Sequence, residues 1–163
     1  MATVNQAYGT STALTLTLAS LATSSTLLVG RESTAIDNTG TLALDYLVGG
    51  KITTGTSPTG GVIEIWAYGS YDGTTYTAGA TGSDAGLTLT QPEKVQMRLL
   101  AVIDCDTTSN HTYEFGTVSI AAAFGGFVPK KWGVFVVHSS GVNLNSTAGN
   151  HEIKYTAVTL TVA

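Results

Sequence analysis

Apolar and polar residues alternate along most of this chain, and that period of two constrains the fold more than any other feature. Successive side chains of a strand point to opposite faces, whereas a helix repeats every 3.6 residues. In TALTLTLAS, Leu14, Leu16 and Leu18 fall on one face and Thr15 and Thr17 on the other. TLALDYLV groups Leu42, Leu44, Tyr46 and Val48, and KVQMRLLAVID groups Val95, Met97, Leu99, Ala101 and Ile103. In KWGVFVVHS both rows are apolar, as in a strand covered on both faces. Turn formers separate the runs: Asn38-Thr39-Gly40, Gly49-Gly50, SPTGG, Asp72-Gly73, GSDAG and NSTAGN.

The pattern predicts strands over 12–20, 25–36, 41–54, 62–71, 94–104, 112–124, 132–139 and 151–162. No long amphipathic helix is present. The Ala run SIAAAFGG is the best local helix former, but its flanks favour a strand or bulge. A helical turn fits near Pro92, since Pro is tolerated at a first helical position. About eight antiparallel strands without helices imply an all-β fold: a two-sheet antiparallel β-sandwich, most simply a jelly roll. An immunoglobulin-type sandwich is disfavoured, because the cysteine pair around a buried Trp is missing. Residues 12–163 form the expected single domain. Residues 1–11 lack a strong strand pattern and read as an N-terminal arm, either frayed or ordered on a neighbour by strand addition.

Charged residues make up 11% of the chain, less than half the typical ~25%. The exterior is therefore Thr, Ser, Asn and Gly, which suits either a protein packed against neighbours or an ordinary secreted β-domain. Net charge is −4, and the seven basic residues are scattered apart from Lys130-Lys131. A nucleic-acid binder needs a cationic stripe to displace counterions, so that class is excluded. Cys105 is the single cysteine and has no intrachain partner. MATVNQAYGT carries neither a basic n-region nor an apolar h-region, so no signal peptide is expected. The leucines of TALTLTLASLATSSTLLV are interrupted by Thr and make no membrane span.

Catalytic signatures are missing: no GxSxG, HExxH, P-loop or CxxC occurs. Cys105 lies between Asp104 and Asp106, which would raise its pKa and blunt its reactivity. His138 and His151 flank the loop SSGVNLNSTAGN and could approach each other across a hairpin, with Glu152 nearby, as a partial zinc set. Asp104, Asp106 and His111 in DCDTTSNH could line a cation loop, although such residues more often bond their own backbone in a turn. Glu64, Asp72, Asp84 and Glu93 could supply a hydrolytic carboxylate pair, but their spacing does not demand one. No cofactor, metal or catalytic residue is assigned.

The stretch IEIWAYGSYDGTTYTAG holds the densest aromatic content. Alternation places Trp66 and Tyr68 beside Glu64, with Tyr71 and Tyr76 on either side of the Asp72-Gly73 turn. Three uses fit: sandwich core, a stacking surface for sugar rings, or the dry centre of a protein interface, where Trp and Tyr are enriched. Trp66, Tyr68, Tyr71, Tyr76, Trp132 and Tyr8 are the interface candidates.

The segment FVPKKWGVFVVHSSGVNLNSTAGNHEIKYTAV (127–158), taken with that stretch, resembles small β-sandwich proteins of the virion-structure clusters of tailed bacteriophages. The shared cadence is carried by Pro129, Trp132, Gly133, Val134, Val136, Gly141, Leu144, Gly149 and Tyr155. His138 stands where an Asn would be expected. The resemblance implies a non-enzymatic virion protein of the capsid decoration (cement) type, with a tail or head-fibre component as the alternative. It implies a homo-oligomer, often a trimer, whose partner is the major capsid protein or another virion protein. A carbohydrate-binding module contacting host glycan is the competing class; neither nucleic acid nor membrane is expected as a partner.

Overall fold

The computed structural model describes residues 2–162. The chain forms a two-sheet antiparallel β-sandwich. In chain order the strands are β1 (Val4–Tyr8), β2 (Thr12–Ala13), β3 (Val29–Glu32), β4 (Ile36–Asp37), β5 (Asp45–Thr53), β6 (Gly61–Ser70), β7 (Ala85–Thr88), β8 (Arg98–Cys105), β9 (Thr112–Ser119), β10 (Lys131–His138) and β11 (Glu152–Val162). One sheet runs β1-β11-β5-β9, with β2 also on β11; the other runs β7-β3-β10-β6-β8, with β4 also on β10. Pairing is nested: β2 with β11, β3 with β10, β5 with β9, and β6 with β8.

Part of the alternation read from the sequence becomes the core. Leu42 and Leu44, expected beside Tyr46 and Val48, and Val95 and Leu99, expected beside Met97 and Ala101, are instead exposed. Strands β5 and β8 begin only at Asp45 and Arg98, and their ends project beyond the core. Tyr46, Val48 and Ile52 of β5 face Ile63, Ile65 and Ala67 of β6 and Trp132, Val134 and Val136 of β10. Trp132 is fully buried, with its ring 5.1 Å from Tyr46 and 5.9 Å from Tyr155. Such tilted and edge-on pairs each add about 0.5–1.5 kcal/mol beyond area burial. The Trp132 indole N–H has no hydrogen-bond partner.

Strand β10 is apolar on both faces because its sheet is covered on both sides. Phe135 and Val137 project outward and join Tyr68, Ala78, Ala80, Leu89 and Met97 in a second cluster. Residues 71–97 supply that cover, pinned by three acidic side chains. Buried Glu32 accepts from Thr81 N, Thr81 Oγ1 and Gly82 N. Asp84 takes the Arg31 guanidinium at 2.6 Å and the Thr17 hydroxyl at 2.6 Å. Glu64 takes the Lys94 ammonium at 2.6 Å.

Several expected elements differ, for local reasons. Of 12–20, only Thr12–Ala13 is strand, yet Leu14 and Leu18 are buried and Thr15 and Thr17 exposed, so alternation directs burial there without a ladder. The run 25–36 breaks at Ser33, whose Oγ accepts the Val134 N–H while Tyr68 donates to its carbonyl. Over 112–124 the strand stops at Ser119, which accepts from Ala122 N and starts the helical turn α1 (Ile120–Ala123). A turn also forms at Gln91–Lys94, capped by Thr90 and Glu93 in a reciprocal box with Pro92 in its first turn. Strand β7 was not expected; its AGLT overlaps a turn signal. Residues 4–8, read as an arm, pair with β11 of the same chain.

Candidate binding surface

The aromatic stretch divides into three environments. Tyr68 is fully buried: its hydroxyl donates to Ser33 O at 2.5 Å, its ring meets Tyr76 edge-on at 5.6 Å, and burial pushes its pKa up. Trp66 is half-buried. Its indole N–H donates to Glu64 Oε2 at 2.8 Å, and the Lys94 ammonium sits 5.1 Å from its ring centre. One face of that ring is thus occupied by a cation from its own chain. Tyr71 is 81% exposed.

Tyr71 and Tyr76 line a cleft of about 340 Å3 with Gly69, Ser70, Thr75, Thr77, Gln96, Arg98, Phe124, Phe127 and Pro129. It lies where β6 ends and β8 begins. Its wall exists because position 69 has no side chain: a Cβ there would meet Pro129 Cγ at 2.8 Å and the Phe124 ring at 3.0 Å. The following loop is held by Asp72, which accepts from Ser70 Oγ (2.9 Å), Thr74 N (2.8 Å) and Thr75 N (2.7 Å). The Thr75 and Thr74 N–H groups keep its carboxyl well below the usual carboxylate range. Tyr71 is therefore presented on a loop built by its own side chains. Thr77 Oγ1 accepts from Gly69 N and closes the same corner.

A second surface surrounds Tyr8. Strand β5 leaves β11 at Val158, opposite Asp45, whereas β1 accompanies β11 to Val162. Past Val158 the sheet is therefore a two-stranded ribbon. Directly opposed residues share a face, so Val4, Tyr8, Leu160 and Val162 line one side with Gln6, and Asn5, Ala7, Thr159 and Thr161 the other. All four apolar residues are more than half exposed.

Two of the six interface candidates need correction. Tyr68 and Trp132 are enclosed by the second cluster and the main core, so neither reaches a surface. Trp66 is committed to Glu64 and Lys94, which argues against its use as a sugar-stacking face. Tyr71 and Tyr76 come together in the cleft, and Tyr8 stands on the ribbon. Sequence reading did not find Phe124, Phe127, Pro129 and Arg98, nor the partners of Tyr8. Phe127 after Gly125-Gly126 was the available sign, an aromatic in a loop.

The polar candidates serve the fold. His138 is buried; its Nε2–H donates to Leu21 O at 3.0 Å and Nδ1 lies 3.0 Å from Ser140 Oγ. His151 Nε2–H donates to Asn145 O at 2.8 Å, and its Nδ1 accepts from Thr53 N. Burial lowers both pKa values. Asp106 accepts from Thr108 N and Tyr113 Oη, a turn bonding its own neighbourhood. Among the described residues no group of three or more His, Cys, Asp or Glu is placed to hold a metal. Glu64, Asp72, Asp84 and Glu93 each engage separate structural partners. The Cys105 thiol is buried, and burial, with Asp106 and Asp104, pushes it up to about 11. No family model, curated protein or solved structure matches the chain.

Proposed function

We propose that this chain is a non-enzymatic structural subunit of a tailed-phage particle, most simply a capsid decoration protein. It works by associating with its own copies and with the shell. The ribbon of β1 and the end of β11 carries this reading. A two-stranded ribbon is marginal in water by itself, and an apolar face flanked by free edges invites pairing with another chain. Here Val4, Leu160 and Val162 stand on such a ribbon beyond the point where β5 departs, and Tyr8, opposite Val158, stands at that point. A neighbouring copy laid against it would cover the apolar row and satisfy the free backbone edge. The virion setting and the trimer come from the resemblance of residues 127–158, and the major capsid protein is the proposed further partner.

Burial converts to stability at about 25 cal/mol per Å2, offset by association costs. Modest contacts repeated over many copies hold firmly, because each engaged copy raises the effective concentration of the next. The test is solution mass by light scattering, with and without purified empty capsids, on the natural chain and on Tyr8→Ser/Leu160→Ser. The expected result is an oligomer that binds capsids in saturable amounts and a variant of lower mass. A natural chain that is monomeric and ignores capsids would refute the proposal.

A further inference from the structure

We infer that the cleft beneath Tyr71 binds a sugar ring bearing a carboxylate, of the uronic or sialic acid class. Three observations converge. The first is size. About 340 Å3 equals the liquid volume of about eleven waters, room for one or two pyranose rings.

The second is the walls. Tyr71 and Phe127, 81% and 63% exposed, stand at the mouth, with Tyr76, Phe124 and Pro129 behind them. Aromatic faces are electron-rich, and the C–H bonds of a pyranose face are polarised by the ring's oxygens, so the two stack while the hydroxyls stay at the edge. Tyr71 is exposed on the loop held by Asp72 and Phe127 on the segment before β10, so both faces are available in the folded chain.

The third is the free polar chemistry. Ser70 Oγ is committed to Asp72 and Gly73, and Thr77 Oγ1 to Gly69. Arg98 is the sole charged side chain lining the cleft. Among the described residues it makes no ion pair, as is also true of Lys51 and Lys130, which do not line the cleft. An exposed guanidinium fork beside aromatic walls matches a planar carboxylate by two parallel hydrogen bonds. A neutral sugar or an apolar molecule would leave that fork unused; a carboxylated ring uses both the fork and the walls.

The test uses the full chain with methyl glucuronide and N-acetylneuraminic acid as probes and methyl glucoside as the neutral control. Saturation-transfer NMR, which detects millimolar binding, is combined with chemical-shift mapping. The expected result is transfer to an acidic sugar, with shifts confined to Tyr71, Phe127 and Arg98. Arg98→Gln should weaken acidic-sugar binding about tenfold or more, the usual reach of a charge-assisted bidentate pair, down to the level of the glucoside. Phe127→Ser should remove binding altogether. Both positions are exposed, so unchanged urea midpoints establish that the variants fold. Three results would overturn the inference: no transfer to either acidic sugar, equal binding of glucoside and glucuronide, or a change of oligomeric mass in Arg98→Gln or Phe127→Ser. The last would make the cleft a protein contact. Because the mass assay reads the ribbon and the NMR assay reads the cleft, either proposal can fail alone.

Discussion

Lys94→Met should cost this protein a large share of its stability. Lys94 is buried, and its ammonium lies 2.6 Å from Glu64 Oε2, the oxygen that also accepts from the Trp66 indole at 2.8 Å. The Glu64 side chain is only 15% exposed. Methionine restores most of the stem volume but leaves the carboxylate without its cation. Breaking a buried pair from one side costs about 3–5 kcal/mol, because the remaining charge stays desolvated. The Trp66 N–H still solvates Glu64 in part, and the lost cation–π contact adds to the cost, so about 3 kcal/mol is expected. Against a total of about 5–15 kcal/mol that is a severe change. With a urea slope of about 2 kcal/mol per M, the unfolding midpoint should fall by about 1.5 M. Adding Glu64→Gln removes the stranded charge and keeps an acceptor for Trp66, so the double variant should recover all but about 1 kcal/mol. The assay is urea unfolding followed by tryptophan fluorescence. A Lys94→Met midpoint within about 0.3 M of the natural chain, or a double variant no better than the single, would refute the argument that this pair clamps residues 71–97 onto the sheet.

Two further outcomes follow from the packing. Gly133→Ala should destabilise by about 1–3 kcal/mol, because the buried Tyr68 ring and hydroxyl occupy the space a Cβ would need; an unchanged thermal midpoint would show that Tyr68 can move aside. Stability should also fall as pH drops below about 6.5. The unfolded chain protonates His138 near the ordinary 6.5, whereas burial holds the folded value lower. The contribution is therefore complete above pH 6.5 and is lost as pH falls towards the folded value. Its slope approaches about 1.4 kcal/mol per pH unit, and His151 adds in the same direction. Urea midpoints that stay flat from pH 6.5 to 5, before most carboxylates titrate, would count against it.

The alternation of KWGVFVVHS already contained the most informative part of the fold. A run apolar on both faces must be covered twice, and β10 is. The helical turn at Pro92 was legible for the same reason that it forms: the Thr90–Glu93 box and the proline are local. The break at Ser33 was not legible, since it depends on Val134, a residue far along the chain, giving its N–H to a side chain. Nor could alternation tell that Leu14 and Leu18 would be buried without a ladder, because burial depends on which way a residue faces and pairing on whether a neighbour is within reach.

The six aromatic candidates show the same division. Period two correctly grouped Trp66 with Tyr68, but it could not say that a cover of residues 71–97 would enclose Tyr68 and pair Glu64 with Lys94. The cleft draws on β6, β8 and the loop before β10, so no spacing along the chain announces it. By itself, the sequence determined the all-β class and part of the inward rows, because those follow from side-chain direction; Leu42, Leu44, Val95 and Leu99, grouped with inward residues by alternation, are exposed. Tertiary structure decided which aromatics are core and which are surface, and that an unpaired cation, Arg98, stands in the cleft. Those outcomes depend on contacts between segments distant in sequence, and no local pattern encodes them.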